Sequence, residues 1–147
     1  MRSIVLIIFA ILCCGTAKAQ CEDLAEKATG AWGCVQYTKC LFEPEDMKLN
    51  IIYQELMRDA PEKLKDLIKK EQRIWVDTKY TMAIHVWDPA GGGTMGHCVR
   101  GFVVTNMTID RTKYLEGLYY QVWYAKLGFE NDTSKEAFDT YLNSIYK

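Results

Sequence analysis

Proline is scarce in this 147-residue chain, with only Pro44, Pro61 and Pro89, and glycine is held to ten residues. Such sparing use of both excludes collagen-like chains and Pro/Gly-rich low complexity. An excess of one charge is also missing. Eighteen Lys and Arg stand against nineteen Asp and Glu, a formal charge of −1. That balance argues against a strongly basic nucleic-acid binder. Six cysteines are too few for a disulfide-saturated toxin. Past the first twenty residues no apolar run approaches the ~20 residues that span a bilayer, so no stable membrane insertion is expected. Internal repeats and Cys-x-x-Cys pairs are absent as well.

What is present begins with a leader. Met1-Arg2 precedes an apolar run from Ile4 to Cys14, then Gly15-Thr16-Ala17-Lys18-Ala19. An early positive charge, a short apolar core and a small-x-small ending read as a secretory signal peptide over residues 1–19. Cleavage after Ala19 leaves a single domain, 20–147, in the periplasm or outside the cell. The run is too short for a membrane anchor. A lipoprotein would need Cys13 or Cys14 as the modified residue, and neither follows a small side chain. Without Arg2 and Lys18, 16 basic residues face 19 acidic ones, a formal charge of −3. Four cysteines remain: Cys21, Cys34, Cys40 and Cys98. An even count in an exported chain reads as two disulfides, with three connectivities open.

The periodicity is helical almost throughout. Leu49, Ile52, Tyr53, Leu56 and Met57 recur at three- and four-residue spacing after Pro44, which suits an early helix position. Asp59-Ala60-Pro61 marks a break, and Leu64, Leu67, Ile68, Trp75, Met82 and Val86 continue a stripe beyond it. Asp88-Pro89-Ala90-Gly91-Gly92-Gly93 ends that helix, and Thr94 is placed to cap the next. Val99, Phe102, Val103, Met107, Tyr114, Leu118 and Val122 form its expected apolar face, and Gly128 its stop. Thr133-Ser134-Lys135-Glu136 matches a capping box ahead of Phe138, Tyr141, Leu142 and Ile145, a C-terminal helical extension over 128–147. Asp23 to Thr29 adds a short helix that Gly30 and Gly33 interrupt. The expected fold is all-α, two long antiparallel helices with shorter flanking helices, stapled by disulfides.

Chemical motifs are few. His85, His97, Cys98 and the N-terminal cysteines lack the close paired spacing of a zinc site, so no metal is expected. Cys98 follows His97, yet adjacent helix positions point apart, and a disulfide would remove the thiolate. Glu71, Asp77 and Asp88 read as an outer charged face rather than a catalytic pair. The 88–94 turn lacks the Lys and spacing of a P-loop. Trp75 and Trp87 share roughly one helix quadrant. Tyr119, Tyr120, Trp123 and Tyr124 form an aromatic patch, read mainly as core, with any exposed member a binding anchor. Asn106 and Asn131 head glycosylation sequons read as incidental. No catalytic residue and no cofactor are expected.

Four ordered patches carry a family resemblance. Cys21 and Cys34 open it, and Asp46-Met47-Lys48-Leu49-Asn50-Ile51-Ile52-Tyr53 follows an Asp-x-x-Leu-Asn-x-x-Tyr pattern. Gln72-Arg73-Ile74-Trp75 follows Gln-Arg-x-Trp. Gly92-Gly93-Thr94-Met95 precedes Thr108, Arg111 and Leu115. Over about residues 21–117 the chain resembles the lysozyme inhibitor LprI family. Asp46, Leu49, Asn50, Tyr53, Gln72, Arg73, Trp75, Gly92, Gly93, Thr94, Thr108 and Arg111 are then family landmarks, read as structural. A familiar bridge is missing, since Ala83 and Val103 stand where the family carries cysteines. Cys40 and Cys98 look like its substitute. The resemblance thus favours Cys21–Cys34 with Cys40–Cys98, with Cys21–Cys40 and Cys34–Cys98 as the alternative. It implies an exported protein that binds lysozyme and blocks it. The alternatives are an envelope interaction or immunity-type module with another partner, and an unrecognised hydrolase; the oligomeric state is open.

Overall fold

The computed structural model describes residues 21–27, 29–87, 92–127 and 135–147. The leader, the 88–91 turn, Gly128 and the Thr133-Ser134 half of the capping box lie outside them. Five helices make up the described residues: α1 (21–27), α2 (Gly30–Asp59), α3 (Glu62–Trp87), α4 (Gly93–Leu127) and α5 (Lys135–Ile145). The all-α, disulfide-stapled architecture is the expected one, with α3 and α4 as an antiparallel long pair. The segment before Pro61 is longer than expected and forms a third long helix.

Helix α2 continues through Pro44. The proline was expected near a helix start. Its fixed φ is already helical, and its ring removes only one i→i−4 bond. Packing along the 30-residue helix offsets that loss. Gly33 likewise lies inside α2, whereas Gly30 starts it with φ +73°. Pro61 does end the helix. It holds Ala60 extended at φ −69° and ψ 150°, and its carbonyl accepts the N–H groups of Leu64 and Lys65 to start α3.

Cross-helix contacts give the directions. Cys34 bonds Cys98 and the Tyr119 hydroxyl donates to Asp59, so α2 and α4 run in the same direction. They make the most extensive contact in the fold. Helix α3 opposes both, since Gln72 meets Arg111 while Lys79 lies over the Phe42 ring. Helix α5 turns back along α4, from Phe138 against Trp123 to Tyr146 against Glu116.

The seam of α4 differs from the expected face. Cys98, Thr105, Thr108, Thr112, Leu115, Tyr119 and Val122 are buried, while Phe102 and Tyr114 are exposed. With Gly101, these buried positions alternate steps of three and four, the spacing of a heptad seam. A Cβ at Gly101 would sit 2.6 Å from the Thr38 Cβ. The threonine hydroxyls donate within the helix, Thr105 to the Gly101 carbonyl, Thr108 to Val104 and Thr112 to Thr108. Satisfied hydroxyls and short side chains let α2 approach closely.

The stripe of α3 also differs. Ile68 is buried, and Leu64 and Trp75 pack against the core. Leu67, Met82 and Val86 face outward, and Lys79 and Ala83 take the buried positions instead. The expected faces of α2 and α5 hold. Leu49, Ile52, Leu56, Phe138 and Leu142 are buried, with Tyr53, Met57, Tyr141 and Ile145 against them.

Candidate functional site

The two disulfides pair Cys21 with Cys40 and Cys34 with Cys98, at Cα separations of 5.7 and 5.5 Å. The favoured connectivity, Cys21–Cys34 with Cys40–Cys98, is corrected. Cys34 and Cys40 share one helix and stand roughly 120° apart around it, so each serves a different neighbour. Cys40 faces the returning α1, and Cys34 stands level with Cys98 because α2 and α4 run together.

The landmark residues gather as a belt around the middle of the bundle. On α2, Leu49 is buried, and the Asn50 amide donates to the Asp46 carbonyl (2.9 Å) and carboxylate (3.2 Å). Tyr53 is half-buried against the core. On α3, Gln72 Oε1 accepts from Arg111 Nε of α4 at 3.0 Å. Arg111 is itself buried, lies 3.4 Å from Glu71, and stands over the Trp75 and Tyr114 rings at 5.9 and 4.8 Å. Among the described residues its Nη2 has no hydrogen-bond partner. On the next turn of α3, Lys79 Nζ lies 4.5 Å from the Trp75 ring centre and 5.5 Å from that of Phe42. Cations thus lie over Trp75 from both α3 and α4, an arrangement favoured by the ring quadrupole. Lys79 makes no ion pair among the described residues. Burial pulls its ammonium below the ordinary lysine value, opposed in part by the Asp46 charge. Thr108 is fully buried in the α4 seam.

The glycine landmarks sit apart from the belt. Gly92 and Gly93 take φ of +64° and +62° at the start of α4. Thr94 was expected as the cap. The helix starts one residue earlier, and the Gly92 carbonyl accepts the Gly96 N–H, so Thr94 lies exposed in the first turn.

Two open clefts flank the belt. Between α2 and α3, a cleft of about 550 Å³ is lined by Tyr53, Lys69, Gln72, Arg73, Val76 and Asp77. A smaller one between α3 and α4, about 290 Å³, is lined by Trp75, Met107, Asp110, Arg111 and Tyr114. The first carries two cations and one acid. The second is aromatic, with a carboxylate at its rim. Burial and the Glu71 carboxylate raise the Tyr114 phenol above its ordinary value, so it stays protonated.

At the far end, Glu55, Arg58 and Asp59 of α2 meet Tyr119 and Lys126 of α4 and Tyr141 of α5. Tyr119 donates to Asp59 at 2.8 Å, Lys126 bonds Asp59 at 2.7 Å, and Tyr141 donates to Glu55. Sequence reasoning missed this cluster. Its signal was the Glu55-x-x-Arg58-Asp59 charge pattern before the Pro61 break. Tyr119, Tyr120 and Trp123 pack on Phe138 as core, and Tyr124 is partly exposed.

The weighed catalytic groups do not assemble. Cys98 is bridged, Glu71 meets Arg111, Asp77 lines the other cleft, and Asp88 lies outside the described residues. Among the described residues no three His, Cys, Asp or Glu side chains group to hold a metal ion, and no helix is long and apolar enough to cross a membrane.

These features define a class: a cystine-bridged helical bundle whose distinctive side chains form cross-helix contacts and surface clefts. Within that class the assignment is specific. The family model for lysozyme inhibitor LprI matches residues 21–115, and the chain belongs to that family. No curated protein and no solved structure matches the chain.

Proposed function

We propose that this protein is exported, binds lysozyme through its surface and blocks it without chemistry of its own. The observation that carries the reading is the lysozyme-inhibitor family match over residues 21–115. The leader pattern of residues 1–19 supports export, and two disulfides suit an oxidising compartment. A bundle pinned at one end by cystines loses little conformational freedom on docking, which favours affinity. Residues 20–147 act as one unit in this reading, and the landmark residues hold the helices in register. Formal charge −3 draws in a cationic, wall-cleaving enzyme.

Lysozyme clearance of a cell-wall suspension, with and without the purified, oxidised protein, tests the reading alongside a direct binding measurement. Inhibition with matching affinity is expected. Absence of both at micromolar protein overturns the reading and favours a different envelope partner.

A further inference from the structure

We propose that the cleft between α3 and α4 is the docking surface, taking a basic side chain of lysozyme against Tyr114 and Asp110. This inference rests on the lysozyme-binding reading above. Three observations carry it.

The first is chemical. Tyr114 is 46% exposed and presents a ring at the cleft, with Met107 and Trp75 beside it. An aromatic face next to a carboxylate attracts a lysine or arginine through both the ring quadrupole and charge. The second concerns sign. Arg111 also lines this cleft, but its charge is answered by Glu71 at 3.4 Å. Asp110 is exposed and makes no ion pair among the described residues, so it sets the sign at the rim. The third is the contrast with the larger cleft between α2 and α3. Lys69 there is answered by Asp66 at 3.7 Å, which leaves Arg73 against Asp77, so that surface offers a cationic partner no net attraction.

The walls also stand ready before binding. Trp75 and Tyr114 are held by the Arg111 guanidinium between them, and Arg111 is held by Gln72. Preformed aromatic anchors flanked by a charge are the composition of interface hot spots.

The test compares lysozyme binding by the oxidised wild-type protein, Asp110→Lys, Tyr114→Ala and Arg73→Gln, each checked for an unchanged helical spectrum. Asp110→Lys is expected to weaken binding at least thirty-fold and Tyr114→Ala about ten-fold, with Arg73→Gln within two-fold. Raising the salt should weaken the wild type more than Asp110→Asn. Wild-type binding that survives both cleft substitutions within two-fold overturns the docking surface and leaves the lysozyme reading standing. Loss of binding in Arg73→Gln alone moves the surface to the other cleft and also overturns it. A wild-type protein that neither binds nor inhibits overturns the lysozyme reading, and this inference falls with it.

Discussion

Asp59 shows how much one side chain can hold together. Its carboxylate accepts from Tyr119, Arg58 and Lys126, and its side chain is only 9% exposed. The bond from Arg58 is the largest cause holding its carboxyl well below the ordinary 3.8; burial opposes it, and Lys126 and Tyr119 add to it. A folded value below the unfolded one stabilises the protein at pH above about 3.8, and that contribution fades as the pH falls through the folded value. Asp59→Asn should therefore cost about 1–3 kcal/mol at pH 7. It should also flatten the acid limb of stability. Urea midpoints from pH 7 down to pH 2 would check this, and parallel curves for the two proteins would refute it. Gln72, Trp75 and Arg111 were visible in the sequence as separate landmarks. Their mutual contact was not, because 39 positions separate Gln72 from Arg111 and no local pattern encodes the register of α3 on α4. Lys79 was passed over for a related reason. A lysine reads as solvent-facing, and only the ring cluster around it makes burial tolerable.

The helices themselves were largely legible, since Pro61 and the 92–93 glycines break the pattern where the chain turns. What misled was the assumption that the most apolar stripe is the buried one. On α4 the buried seam sits one position from the expected face over its first turns, at Cys98 and Gly101 rather than Val99 and Phe102. Close packing against α2 selects small side chains there, and threonine hydroxyls bonded inside their own helix lose their polar signature. Gly101 is the tightest point of that seam. Gly101→Ala adds a methyl where the Thr38 backbone-proximal Cβ stands 2.6 Å away, so the helices must separate. A loss of about 1–3 kcal/mol is expected, against the gain in helix propensity that an exposed Gly→Ala change would bring. Thr108→Val should by contrast be nearly neutral. It keeps the volume, and the Val104 carbonyl retains its backbone partner. Denaturant melts of the two variants side by side would show a clear loss in Gly101→Ala and little change in Thr108→Val; equal losses would refute the close-approach account of the seam.

For the molecule as a whole, the two cystines do unequal work. Cys21–Cys40 closes a loop with a sequence separation of 19, fastening α1 to α2. Cys34–Cys98 spans a separation of 64 and ties α2 to α4 across the whole of α3. Loop-closure entropy rises with the logarithm of loop length, so the longer bridge restrains the unfolded chain more. The expected contributions are about 4 kcal/mol for the longer bridge and about 3 kcal/mol for the shorter. Position sharpens the difference. Cys34 and Cys98 lie where the α2–α4 seam is built from glycine and threonine, which bury little apolar area, while the opposite end is filled by Leu115, Tyr119 and Phe138. Removing the long bridge should therefore free the thinly packed end and leave the aromatic end folded longest. Replacing Cys34 and Cys98 by alanine should lower the urea midpoint more than replacing Cys21 and Cys40. Amide exchange in the first variant should rise first around residues 98–108, while 115–122 stay protected. Uniform loss of protection along α4, or a larger loss from the short bridge, would mean that the cystines act on the bundle as one cooperative unit rather than reinforcing its weaker end.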